Sequence, residues 1–241
     1  MLAQLWRAAG WGVPSHDEVK VWVERALKEG AKRKGRPGDR RYEWTDWPMS
    51  PSVRFRVMTD GTRVVQLVPA LVCGSTHPFV PSIVRQTEHH CIAWGAWRSQ
   101  TGGILHRTAI WMQNGWEAEQ SGPWTMRIAG LAYQVKVDTT SLGTAESMPL
   151  FAQVARFTRE IPLEEQANYA VRGKVEEVEE EGNRITGQTL WKITLSGKDQ
   201  WQLTMVTHPA LVEGKIRPGV WVVAECRLQG EMVDWGDQVN P

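Results

Sequence analysis

The densest run of residues able to do chemistry is Lys32-Arg33-Lys34, Arg36, Arg40 and Arg41, leading into Tyr42, Trp44 and Trp47. Cations at this spacing can contact phosphates, and adjacent aromatic rings can stack on bases. Lys32, Arg33, Lys34, Arg36, Arg40, Arg41, Tyr42 and Trp44 are therefore the candidate nucleic-acid-binding residues, with single-stranded nucleic acid as the expected partner. The plainer alternative is a solvated helix end and loop whose Trp side chains tuck into a core. A second group is Cys73, His77, His89, His90 and Cys91. Cys and His are zinc ligands, and Cys73 with His77 could chelate from a loop. Against this, His89-His90-Cys91 are consecutive, so neighbours would point apart on a strand, and no CxxC hairpin exists. Small buried thiols and surface imidazoles account for the same residues, so no metal or other cofactor is expected.

Catalytic patterns are otherwise missing from the sequence. There is no Walker loop, no GxGxxG, no GxSxG and no HExxH. Glu176, Glu177, Glu179, Glu180 and Glu181 read as a strand end and solvated turn, not an acid–base pair. The reading favours a non-enzymatic binding protein. A structural or assembly module acting through protein–protein contacts, and a metal-binding protein using the Cys73–Cys91 region, are its alternatives.

The elements that must position these residues begin with two helices. Leu2, Leu5, Trp6 and Ala9 have helical spacing, with Gly10 as a stop. Ser15 and Glu18 form a capping box for a second helix, whose stripe is Val19, Trp22, Val23, Ala26 and Leu27. Its final turn is expected to carry Lys28 and Lys32, and the helix to fade between Gly30 and Gly35. A helix-turn-helix reading is disfavoured, because Asp17, Glu18 and Glu24 share the exposed face with Lys20, Arg25 and Lys28. Residues 35–51 hold Gly35, Pro37, Gly38, Pro48 and Pro51 and should be mostly loop. From Ser52 the period is two: Val53, Phe55 and Val57, the Asp60-Gly61 hairpin, then a partner strand from Arg63 to Val68. Further strands are expected at Cys91–Trp97, Ile104–Met112, Thr125–Gly130 and Leu131–Val137. Residues 139–149 are small and polar, and mark the expected boundary between units 1–140 and 150–241. Pro69-Ala70-Leu71-Val72-Cys73-Gly74 echoes Pro209-Ala210-Leu211-Val212-Glu213-Gly214, but the flanks do not align.

Four alternating runs fill the last quarter. Tyr169, Val171, Gly173 and Val175 share a face until Glu177 breaks the pattern as a bulge would. Trp191, Ile193 and Leu195, then Trp201, Leu203 and Met205, alternate with polar residues. After Arg217-Pro218-Gly219, Val220, Val222, Ala224, Cys226 and Leu228 face one way, and Trp221 the other. Residues 169–233 thereby resemble an OB-fold domain, through Gly173-Lys174-Val175 in a long first strand, the tight hairpin of strands two and three, and Arg217-Pro218-Gly219 opening a strand that ends Leu228-Gln229-Gly230. The resemblance implies a small barrel whose fifth strand is Glu231–Trp235 or comes from 148–158. It also implies a ligand face on the outside of strands two and three. That face would be Leu190, Lys192, Thr194, Gln202 and Thr204, with one cation and no aromatic platform.

Composition narrows the class. The 241 residues include 14 Trp, against 4 Phe and 3 Tyr, and most of these rings should pack. The net charge of +1 is uneven: the basic excess lies in residues 1–63, and 168–241 is acidic. Three Cys give no disulfide framework, and no apolar run is long enough to span a bilayer. A soluble, cytoplasmic, mainly β protein is expected, with antiparallel β units, a C-terminal OB-like small barrel and a short N-terminal helical segment. No membrane partner is expected, and a homo-oligomer or protein partner stands beside nucleic acid.

Overall fold

The computed structural model describes residues 2–12, 14–34, 42–86, 91–98, 104–113, 123–139, 151–153, 165–197 and 201–233. Helix α1 (Leu2–Ala8) stops at Gly10, whose φ of 76° suits a residue without a Cβ. Helix α2 (His16–Glu29) opens on the expected reciprocal cap. The Glu18 amide donates to Ser15 Oγ, and the Ser15 amide donates to the Glu18 carboxylate at 2.8 Å.

The chain after α2 departs from expectation. Gly30 caps the helix, and Ala31–Lys34 is already a strand, β1, so Lys32 does not extend the final helical turn. Within the stretch expected to be mostly loop, residues 42–48 instead form a strand, β2 (Tyr42–Pro48), which pairs along β1 and β3; residues 35–41 lie outside the described residues. Trp44, Thr45 and Trp47 are aromatic or β-branched residues, which favour a pleated surface, and Pro48 closes the strand. β3 (Val53–Asp60) and β4 (Arg63–Leu71) form the expected hairpin over Gly61, giving an antiparallel sheet in the order β1-β2-β3-β4.

The remaining strands make one large mixed sheet that closes on itself twice. They are β5 (Ser75–Gln86), β6 (Cys91–Arg98), β7 (Ile104–Met112), β8 (Trp124–Val137), β9 (Phe151–Gln153), β10 (Asn168–Gly182), β11 (Thr189–Ser196), β12 (Gln202–Thr207), β13 (Val212–Glu213) and β14 (Trp221–Met232). Ring one runs β5-β6-β7-β14-β8 and back to β5. Ring two runs β10-β11-β12-β8-β14 and back to β10. The antiparallel β8–β14 ladder is a wall common to both.

The rings are related by a pseudo-two-fold axis through that wall. Each has an antiparallel three-strand meander, and its third strand runs parallel to the last strand of the other unit: β7 with β14, β12 with β8. Gly130 pairs with Leu228, and Gly230 with Ile128. Thr76 faces Arg127 in one unit, and Asn168 faces Arg227 in the other. Both first strands bulge against their second strand, at Pro81/Ile83 and at Val175/Glu177. Equivalent residues also cross between rings: His77 Nε2 donates to the Gln202 carbonyl, and the Ala109 amide donates to the Tyr169 hydroxyl. The Pro69/Pro209 echo is not this repeat, because Pro69–Leu71 ends a strand while Pro209–Leu211 is a 3-10 turn.

Two strand expectations are thereby corrected, and one strand is added. Thr125–Gly130 and Leu131–Val137 are one strand, β8, whose two halves serve different rings. Ser75–Gln86 is a strand despite Pro78 and Pro81, the second of which sits at the bulge. Neither Glu231–Trp235 nor 148–158 closes ring two: Glu231 and Met232 continue β14, Phe151–Gln153 flanks β10, and the closing strand is β8. Strands from both sides of residues 139–149 thus share one ladder; of the boundary itself only Thr139 lies within the described residues. Mainly β architecture, with antiparallel units, a ring of C-terminal strands and an N-terminal helical segment, is what the chain forms.

Two apolar cores result. The larger fills both rings and includes Phe79, Trp97, Ile110, Trp201, Met205 and Cys226. The smaller lies outside ring two, where Leu5, Ala9, Trp11 and Phe55 cover Leu131, Tyr133, Leu190 and Val206.

Candidate nucleic-acid interface

The basic run of the N-terminal region is divided by the structure. Lys32 is exposed on β1, which also carries Arg33 and Lys34, opposite Thr45, Trp44 and Glu43. Tyr42 begins β2, while Arg36, Arg40 and Arg41 lie outside the described residues. Trp44 corrects its expectation as a stacking platform: it is only 2% exposed, and the Arg56 guanidinium sits 5.6 Å from its ring centre. Strand parity turns it into the molecule, because Arg56 is itself buried in a pair with Asp46.

The pseudo-symmetric faces outside the second and third strands of each ring differ sharply. On ring two, parity is as expected for Leu190, Lys192, Thr194, Gln202 and Thr204, yet Leu190 and Thr204 are buried. Residues of α1 and its C-terminal turn cover Leu190; a Cβ on Gly10 would stand 2.9 Å from Leu190 Cδ2. Asn183 Nδ2 donates to the Ala9 carbonyl and Thr186 Oγ to the Gly10 carbonyl, fastening the same cover. Lys192 is held by Glu179 at 3.1 Å.

On ring one the equivalent face is uncovered among the described residues at Ile83, Arg85, Trp94 and Arg107. Ile83 faces Trp94 across the β5–β6 ladder, and Ala96 faces Arg107 across β6–β7. Ile83 is 52% exposed, Trp94 is half-buried, and the Arg85 guanidinium lies 5.7 Å from the Trp94 ring centre. Arg107 is exposed. At the register-matched positions ring two has Lys174 opposite Ser196, in place of Ile83 and Trp94, and Glu177 opposite Thr194, in place of Arg85 and Ile92. Trp94 is thus answered by Ser196, and the Arg85 cation by the Glu177 carboxylate.

Charge follows the same division over whole strands. β5, β6, β7 and β8 carry Arg85, Arg98, Arg107, Arg127 and Lys136, and no Asp or Glu. Arg127 and Lys136 pair with Glu231 and Glu213 of the second unit. β10 alone carries Glu176, Glu177, Glu179, Glu180 and Glu181, and the last of these accepts from the Ser52 hydroxyl at 2.5 Å.

The Cys and His group is dispersed. Cys91 is fully buried in the ring core, where desolvation pushes its thiol up to about 11. Cys73 packs against the other core beside Ser52; burial pushes it up to about 11 as well. His77 is buried against Trp97, and burial holds its imidazole below the usual value. His89 and His90 lie outside the described residues, among which no three His, Cys, Asp or Glu side chains gather closely enough to hold a metal. Nor is any helix there long and apolar enough to cross a membrane.

Trp221 faces outward as parity requires, with the Arg172 guanidinium 4.7 Å from its ring centre and Asp138 bonded to that guanidinium at 2.5 Å. Trp94 and Arg85 were within reach of sequence reasoning, since Cys91–Trp97 was expected as a strand. Their pairing needed β5, which its two prolines concealed. Protein-family models, curated proteins and solved structures contain no match to this chain.

Proposed function

We propose that this protein binds single-stranded nucleic acid without chemical turnover, using the outer face of β5–β6–β7 as its principal surface. The observation that carries the reading is the Arg85–Trp94 pair beside exposed Ile83 and Arg107, on strands without a carboxylate. Trp94 offers an indole face for base stacking, Arg85 both stacks and meets phosphate, and Arg107 extends the cationic track. The basic residues Lys32, Arg33 and Lys34 on β1, followed in sequence by Arg36, Arg40 and Arg41, supply further phosphate contacts.

An OB-like reading of the barrels supports the same surface. β10, β11, β12 and β14 take the places of its first four strands and β8 that of the fifth. Ring one repeats the arrangement, with β14 as fifth strand. The outer face of strands two and three is where such barrels bind oligomers, and on ring two that face is occupied by the chain's own N-terminal layer.

Titration of a fluorescent single-stranded oligonucleotide tests this. Binding should weaken with added salt, and Trp94→Ala should cost about 1–3 kcal/mol. Charge reversal at Arg85 and Arg107 should abolish it, while Glu177→Gln on the opposite ring should not weaken it. Absence of binding to the wild-type chain at low salt overturns the proposal. A second reading, self-assembly through Ile83 and Trp94, is favoured by the exposed Ile83. It predicts a concentration-dependent oligomer in light scattering that Ile83→Lys dissociates, indifferent to oligonucleotide.

A further inference from the structure

We propose a second, independent binding site, for a small aromatic anion, in the cleft between the α1–α2 corner and two turns of ring two. The cleft has a volume of about 730 Å³ and opens between Arg7, Trp22, Ile185, Gln188, His208 and Leu211. That is the size of a small-molecule site, and such sites join an apolar lining to a few placed polar groups.

The apolar side is fixed in position. Trp22 meets Trp11 edge-on at 4.3 Å between ring centres, and Trp11 stacks on Trp6 at 4.7 Å. Trp22 is left half-buried, facing the cleft with Ile185 and Leu211. A planar ring inserted there gains aromatic and aliphatic contact without moving the core.

The polar side has an excess of donors. Glu18 Oε2 is engaged by the Ser15 amide and hydroxyl in the helix cap. Thr186 Oγ donates to the Gly10 carbonyl and accepts from the Gln188 amide. His208 Nδ1 accepts from the Ala210 amide at 3.1 Å, so its proton is on Nε2, which donates to Gln188 Oε1 at 3.2 Å. That bond leaves the Gln188 side-chain NH2 pointing its donors elsewhere. Neither that group nor the Arg7 guanidinium has a partner among the described residues. A guanidinium and an amide NH2 at the mouth of an aromatic cleft match a carboxylate, sulfonate or phosphate on a planar ring.

The probe is 8-anilinonaphthalene-1-sulfonate, titrated into the full chain and read by its own fluorescence. One saturable site is expected. Arg7→Gln should weaken binding about fivefold or more, the scale of one lost charge contact at a partly exposed site, and Gln188→Ala should weaken it less. The uncharged analogue N-phenyl-1-naphthylamine should bind more weakly and be insensitive to Arg7→Gln. Arg7 and Gln188 are exposed side chains, so both variants should keep the wild-type melting temperature. Several weak sites, or a sulfonate affinity unchanged by Arg7→Gln, overturns the proposal. Oligonucleotide binding at β5–β7 should persist with the probe bound, so each site fails or stands by itself.

Discussion

Asp46 and Arg56 set the terms at the level of single residues. Arg56 Nε and Nη2 donate to the two Asp46 oxygens at 2.6 and 2.7 Å, and Nη1 donates to the Gln113 carbonyl at 3.0 Å. The two residues are 1% and 3% exposed, so the pair is desolvated and its strength lies in geometry rather than net charge attraction. Removing Arg56 alone leaves the buried Asp46 carboxylate with only the partly exposed Arg54 guanidinium, 3.8 Å away. Arg56→Met should lower unfolding free energy by about 3–5 kcal/mol, whereas Arg56→Met with Asp46→Leu should recover most of that loss. Urea unfolding of the three proteins measures it; equal losses in single and double variants would show that packing, not the stranded carboxylate, dominates. The same pair explains why the candidate site was only half legible. Basic and aromatic residues at 32–47 were visible as a pattern, but Trp44's inward turn depends on the buried partner Arg56, ten residues along the chain from Asp46.

Alternating periodicity carried the elements well wherever one face is dry and the other wet. Ser15, Asp60-Gly61, the Val175/Glu177 bulge and the inward row from Val222 to Leu228 all stand as read. β5 escaped because its backbone partners change midway, from β8 at Ser75–Phe79 to β6 at Phe79–Gln86, and its prolines sit on that transition. β8 looked like two strands because its outward residues Ala129, Leu131 and Tyr133 are as apolar as its inward ones, being covered by the N-terminal layer. The tightness of ring one can be measured at the β5–β6 crossing. A Cβ on Gly95 would lie 2.7 Å from Phe79 Cε1 and closer still to the Val80 carbonyl oxygen, a backbone atom that cannot swing away. Gly95→Ala should therefore cost about 2–3 kcal/mol or more in a chemical denaturation curve, against a few tenths for Gly182→Ala, where nothing lies nearby. A neutral Gly95→Ala would mean that the bulge relaxes freely.

At the scale of the whole molecule, reciprocity is the governing feature. Each unit supplies four strands of its own ring and, through the β8–β14 ladder, the fifth strand of the other. No local pattern in the sequence announces this. The two units share positions, not residues: Thr76 answers Asn168, His77 answers Tyr169, and Arg85 answers Glu177. An incomplete ring has open edges at its first missing pairing and an exposed apolar interior. Residues 150–241 alone would lack β8, leaving the inner edge of β12 unpaired and uncovering Leu203, Met205, Val222 and Ala224. Residues 1–149 alone would lack β14, uncovering β7 and the other side of β8. Each fragment should therefore show no cooperative thermal transition and should aggregate or bind hydrophobic dyes. Mixed in equal amounts, or co-expressed, the two should assemble a one-to-one complex with a single cooperative melt and quenched dye, because the pairings β7–β14, β8–β12, β8–β13 and β8–β14 join strands of the two halves. If 150–241 melts cooperatively by itself, the shared ladder is dispensable, and the two rings are neighbours rather than halves of one fold.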